Sequence, residues 1–143
     1  MFKPVLYFWL MMVVAIIADQ AVKIQILEGF RWSGECLSII LTYNTGVAFS
    51  MFSFLEEWLK WIQVGLIGGG ITYVFYQGYL RRYGLPLGLL FGSGISNVYD
   101  RFIHGGVVDY VAWHCGFEFA VFNLADVLID LAILWILILH FKK

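Results

Sequence analysis

The chain has 143 residues, of which 62% are hydrophobic, 19% aromatic and only 13% charged, with a net charge of −1. A soluble domain carries about 25% charged and about 45–50% apolar residues, so this composition leaves more oily surface than a globule of this size can hide. It excludes a disordered chain and an electrostatic nucleic-acid binder, which needs clustered Lys and Arg, and it points to an integral membrane protein.

A helical crossing takes about 20 residues, because a hydrocarbon core of about 30 Å is covered at about 1.5 Å per residue. Four crossings fit this length and six do not. The first predicted span covers 4–27, charge-free as far as Ala18 and then carrying Asp19 and Lys23. A cleaved secretory signal is its competing reading, but no small-x-small site follows and the apolar stretch outruns a typical signal core. Charge-free residues 36–55 look like a span on hydropathy alone. Their centre, Thr42-Tyr43-Asn44-Thr45-Gly46, is turn chemistry flanked by β-branched and aromatic residues, so this stretch reads as strand and loop at the membrane surface. The second span covers 61–80, where Gly65, Gly68, Gly69 and Gly70 offer close helix approach and Trp58 and Trp61 suit an interfacial belt. The third covers 85–101 and the fourth 122–141.

Lys3, Arg81, Arg82, Lys142 and Lys143 make up five of the nine basic residues and have no acid among them. Placed together they mark the cytoplasmic side. The expected architecture is therefore an all-α membrane protein, one domain over 1–143, with four transmembrane helices, both termini inside, and outer segments 28–60 and 102–121.

Ionisable residues inside a span cost at least about 2.5 kcal/mol at the bilayer centre and are functional by default. Asp19, Asp100, Asp109 and Asp126 all fall near the predicted outer boundary, with Asp130 one turn deeper than Asp126. Asp19 and Lys23 share a helix face as a snorkelling ion pair or as a polar wall of a site. Asn97, Asp100 and Arg101 follow the small-residue run Gly92-Ser93-Gly94-Ile95-Ser96, which lets a neighbouring helix approach. If the chain turns at Gly105-Gly106 and re-enters at Phe122, Asp109 and Asp126 meet at the outer rim. Two carboxylates that close share a proton, and such a pair can activate water and protonate a leaving amine. The competing reading makes one a helix N-cap and the other a surface acid. His104, His114 and His140 form no HExxH, no metal site is read, and Cys36 and Cys115 lie in outer segments where a disulfide and two free thiols are both open.

Taken together, five segments resemble the lipoprotein signal peptidase, or signal peptidase II, family. Asp19-Gln20-Ala21-Val22-Lys23 is similar to its DQxxK segment, and Asn44-Thr45-Gly46-Val47-Ala48-Phe49-Ser50 to its NxGxAFS loop. Asn97-Val98-Tyr99-Asp100-Arg101 is similar to NxxDR, Val107-Val108-Asp109-Tyr110 to VVD(F/Y), and Phe122-Asn123-Leu124-Ala125-Asp126 to FNxAD. The motifs occur in order along the whole chain.

The resemblance implies an intramembrane aspartyl endopeptidase of the bacterial inner membrane with a small outward β-cradle. Its catalytic dyad would be Asp109 and Asp126, with Asp19, Lys23, Asn44, Gly46, Asn97, Arg101, Asn123 and Ala125 lining or supporting the site. It implies a diacylglyceryl prolipoprotein substrate cut on the amino side of the lipidated cysteine, globomycin-like inhibitors, membrane lipids around a monomer, and no cofactor, metal or nucleic acid. The chain departs from the pattern at Ser96 and Ser93, where glycines are usual, at Ala120, where proline is common, and at Asp130, whose expected partners at that depth are Asn97 or Arg101. An acidic relay through Asp19, Asp126 and Asp130 conducting protons or ions is the alternative from another class.

Overall fold

A computed structural model describes residues 2–46 and 53–142; Val47, Ala48, Phe49 and Ser50 of the predicted loop motif and Lys143 of the basic set lie outside them. The elements are α1 (Phe2–Leu27), β1 (Trp32–Ser33), β2 (Leu37–Asn44), a 3-10 turn (Ser53–Leu55), α2 (Glu56–Tyr76), α3 (Leu80–His104), β3 (Val107–Trp113) and α4 (Leu124–Phe141). All four predicted helices form. α2 and α3 each start about five residues before their predicted spans, and only the turn at 77–79, with Gly78 at φ +69°, separates the two helices. Among the described residues, α1 and α4 are long and apolar enough to cross a membrane by length and composition, and α2 and α3 are less apolar.

The packing is inverted relative to a soluble protein. Leu10, Val13, Val14 and Ile17 of α1 and Leu131, Leu134, Leu137 and Ile138 of α4 are exposed, whereas Asp19, Lys23, Ser93, Ser96, Asp100 and Asn123 are fully buried. Such an exterior suits lipid, and such an interior is tolerated only because its members satisfy one another.

α1 and α3 meet along a glycine face. A Cβ at Gly84 would lie 2.9 Å from the Pro4 carbonyl oxygen, one at Gly92 would lie 2.5 Å from that of Met12, and one at Gly88 would strike that of Phe8. The four-residue period keeps these positions on one stripe of α3, so the two backbones touch. Ser96 continues the stripe one turn on and donates from Oγ to Asp19 Oδ2 at 2.5 Å. A hydrogen bond therefore takes over where the stripe loses its glycine. On α2 the expectation fails: Gly65, Gly68 and Gly69 have open space around them, and only Gly70 faces a neighbour, the Phe91 ring.

The strand reading of residues 36–55 holds over β2, which pairs antiparallel with β1 on one side and β3 on the other. Asn44 lies opposite Val107, and Thr42 opposite Asp109, with a register irregularity between Ile39 and Thr42. Ile26 of α1, Val108 and Tyr110 form the apolar contact that seats the sheet on the bundle. Cys36 and Cys115 form a disulfide between residues flanking β2 and β3, which resolves the open choice between bridge and free thiols.

Candidate active site

α3 ends where Gly105 takes the left-handed conformation at φ +73°, which a side chain rarely adopts, and the chain turns directly into β3. It returns through residues 114–121 until Phe122 pairs with Val111, with the Phe122 amide donating to the Val111 carbonyl at 3.1 Å. That pairing sets Asn123 beside Asp109 just as α4 begins, so two aspartates 17 positions apart share one end of the fold.

Asn123 joins them. Its Nδ2 donates to Asp109 Oδ1 at 2.8 Å, and its Oδ1 accepts from the Asp126 amide at 2.9 Å. Asp126 Oδ2 in turn accepts from the Asn123 amide at 3.0 Å, closing a capping box. The competing reading, one aspartate as N-cap and the other as a surface acid, does not hold: Asn123 is the cap, Asp126 closes the capping box from the third helical position, and Asp109 is buried.

The N-terminus of α4 is held from three directions. The Leu124 amide donates to Tyr110 Oη at 2.9 Å, the Ala125 amide to Asp19 Oδ1 at 2.9 Å, and the Asp126 amide to Asn123. Three of the four amides that a helix start leaves unpaired are captured by β3, α1 and the cap residue. Ala125 is fully buried.

Beneath this lies a buried ionic cluster. Lys23 Nζ is 2.6 Å from Asp19 Oδ2, 2.7 Å from Asp100 Oδ2 and 2.9 Å from Asn97 Oδ1, and all three charged side chains are at most 1% exposed. The snorkelling reading of Asp19 and Lys23 is thereby corrected: Lys23 points inward because Asp100 supplies a second carboxylate. Asp100 also accepts from Gln20 Nε2 at 2.9 Å and from the Val108 amide at 3.1 Å, tying α1, α3 and β3 at one point. Asn97 connects cluster and rim, since its Nδ2 donates to Asp126 Oδ1 at 3.2 Å and its Oδ1 accepts from Asn123 Nδ2 at 3.1 Å.

Arg101 clasps the end of β2, donating from Nη1 to the Asn44 carbonyl at 3.1 Å and from Nη2 to the Gly46 carbonyl at 2.6 Å. Asn44 Oδ1 accepts from the Gly46 amide at 3.0 Å, and the Asn44 side chain also hydrogen-bonds Asp109. Burial raises the Asp109 carboxyl, and the nearby Asp126 charge adds to it, taking the pKa up to about 7 against the opposing effects of Asn44, Lys23 and Asn123. Burial likewise raises the Tyr110 hydroxyl to about 12, so it stays protonated while it accepts from Leu124.

All ten sequence-predicted site residues fall in this one assembly. Asp130 does not. It is exposed, and it lines a cavity of about 450 Å3 with Asn44, Phe119, Phe122 and Asp126. Asn97 and Arg101, its expected partners, are engaged elsewhere because they lie on the inner side of α4. The sequence reading left Gln20, Ser96, Asp100 and Tyr110 outside the site, although all four stand next to a predicted site residue. The clue was the expense of burying them so close to one another.

Helices with apolar outer faces around a buried carboxylate pair at one end suit a membrane protein of aspartic-peptidase type. Residues 11–142 match the family described as signal peptidase (SPase) II. The lipoprotein signal peptidase of Sulfurovum sp. (strain NBC37-1) is 59% identical over 86% of this chain and 84% of its own length. That of Campylobacter jejuni (strain RM1221) is 49% identical over 99% and 92%. A solved structure described as a bacterial membrane enzyme superposes with a TM-score of 0.77 at 25% identity, covering 94% of this chain and 92% of the other. The chain belongs to the signal peptidase II family.

Proposed function

We propose that the chain removes the signal peptide from diacylglyceryl prolipoproteins, cutting on the amino side of the lipidated cysteine, with Asp109 and Asp126 as the catalytic pair. The observation that carries this is Asn123 bridging the two carboxylates, with Asp109 raised to about 7. At neutral pH the pair then holds one proton. Asp109, raised to about 7, is the acid of the pair, and Asp126, hydrogen-bonded by Asn97 and the Asn123 amide, is the base. Asp126 takes a proton from water as the oxygen attacks the scissile carbonyl, and Asp109 gives its proton to the departing cysteine nitrogen as the C–N bond breaks.

Asp19, Lys23 and Asn97 act by positioning: they hold α4 and the bridging Asn123 in register. Arg101 and Gly46 hold Asn44 against Asp109. The cavity along Phe119, Phe122 and Val127 offers an apolar wall beside the pair for the acyl chains, and globomycin-like cyclic peptides would compete there.

The same reading puts four crossings in the inner membrane of a bacterium, both termini inside, and the pair at the outer leaflet of a monomer. Basic residues gathered at the end opposite the carboxylates support it, as does a disulfide on the carboxylate side, since such bonds persist in oxidising compartments. An acidic relay is disfavoured because Asp19 is locked between Lys23, Ser96 and Ala125.

The test is to incubate the purified protein with a diacylglyceryl prolipoprotein and with its unlipidated control. Cleavage of the lipidated form alone, lost in both Asp109→Asn and Asp126→Asn, is the expected result. Turnover retained in both single variants would remove the pair from the chemistry.

A further inference from the structure

A second cavity, about 300 Å3, opens at the opposite end of the bundle between α1, α3 and α4. Lys3, Arg81 and Arg82 line it together with Tyr7, Trp135 and Leu139. None of the site residues described above belongs to it.

Its charge is one-sided. Among the described residues no carboxylate pairs with any of the three cations, because both ion pairs present are those of Lys23. Among the described residues the side chains of Lys3 and Arg81 have no hydrogen-bond partner, and both are exposed. Arg82 is held in place, donating to the carbonyls of Leu139 and, at 2.8 Å, Lys142 at the end of α4. α3 begins here with no acid in its first turn and no side-chain cap, so the positive end of its dipole adds to the same field. Gly84 against Pro4 closes the cavity floor by letting α1 and α3 touch, and the remaining walls are aromatic and aliphatic.

Three cations above an apolar floor match an amphiphile with a phosphate head, and a position at the end of a lipid-facing bundle gives such a molecule lateral access. We propose that this cavity binds the phosphate group of an anionic phospholipid, with Lys3 and Arg81 as the free cationic contacts, Arg82 fixed between them and α4, and Tyr7 and Trp135 flanking the glycerol and upper acyl region. Basic pockets between membrane helices recognise anionic head groups in this way, and each Lys or Arg contributes about a fivefold preference. The proposal needs only that this end of the bundle lie at a bilayer surface, and it is independent of the catalytic assignment.

The full-length protein in neutral detergent, given equal amounts of phosphatidylglycerol and phosphatidylcholine, is analysed by native mass spectrometry. The expected result is preferential retention of phosphatidylglycerol, falling by about fivefold for each of Lys3→Gln and Arg81→Gln. The charge-preserving Lys3→Arg/Arg81→Lys double variant keeps the preference, the neutral Lys3→Gln/Arg81→Gln double variant loses it, and both double variants cleave substrate in mixed micelles of detergent and phosphatidylcholine as the parent does. Equal retention of the two lipids, or an undiminished preference in the neutral double variant, overturns the proposal. Displacement of phosphatidylglycerol by millimolar inorganic phosphate would overturn it in favour of a free-phosphate site.

Discussion

Replacing Lys23 by Met keeps the length of the side chain and removes the cation shared by Asp19 and Asp100. Breaking a buried pair by deleting one partner costs about 3–5 kcal/mol, because the surviving charge has neither water nor counter-ion. Here two carboxylates survive, but each keeps two donors: Ser96 Oγ and the Ala125 amide for Asp19, Gln20 Nε2 and the Val108 amide for Asp100. That support places the loss near the lower end, about 3 kcal/mol. It corresponds to a melting temperature roughly 10 °C lower for a chain of this size. Lys23 also opposes the upward shift of Asp109, so its removal raises that carboxyl further above about 7. The alkaline fall of cleavage then moves to higher pH while the maximum rate drops as α4 loses its anchor. Thermal unfolding in micelles by tryptophan fluorescence, paired with a pH series of prolipoprotein cleavage, reads both effects. An unchanged melting temperature, or an alkaline limb displaced to lower pH, would refute the view of Lys23 as the counter-charge of the cluster and of the pair above it.

In the parent protein cleavage should decline as the pH rises through about 7, because Asp109 then loses the shared proton; a rate still rising at pH 8 would contradict it. The same shift favours the folded state most below about pH 4, with that advantage lost as the pH passes about 7, which denaturation at a series of pH values detects. Gly92→Ala should cost about 1–3 kcal/mol, since its Cβ would press on the Met12 carbonyl and force α1 from α3; melting in micelles measures it. Tyr110→Phe should cost about 1 kcal/mol and lower kcat more than it raises KM, because the Leu124 amide loses its acceptor two residues before Asp126. Asp130→Asn should leave stability within about 0.5 kcal/mol of the parent in thermal unfolding in micelles, since its side chain is exposed.

Much of this arrangement was legible in the residues. The interval from Asp19 to Lys23 fixed a common helix face, and Thr42-Tyr43-Asn44-Thr45-Gly46 argued for a strand and turn although hydropathy argued for a span. Gly105-Gly106 announced the reversal that carries Asp109 toward Asp126. What escaped were features that depend on a partner from elsewhere in the chain. Lys23 looks like a snorkelling residue until Asp100 is seen opposite it, and Tyr110 looks like an ordinary strand residue until α4 starts beneath its hydroxyl. Gly65, Gly68 and Gly69 illustrate the reverse error: small residues permit a close approach, but only α1 supplied a backbone to approach, and it did so at Gly84, Gly88 and Gly92. Asp130 was misjudged because helical spacing relative to Asp126 fixes a face only to within about 40° per four-residue step. That drift carries it away from Asn97 and toward the open cavity.

The disulfide has a topological meaning beyond its mechanical one. A covalent bond between Cys36 and Cys115 requires both sulfurs on the same side of any bilayer, so the intervening chain must return to its starting side. The helices between them are α2 and α3. Parity alone then rules out every topology in which just one of the two crosses, whatever its hydropathy. A helix too weakly apolar to declare itself as a span is in this way bound to the fate of its neighbour.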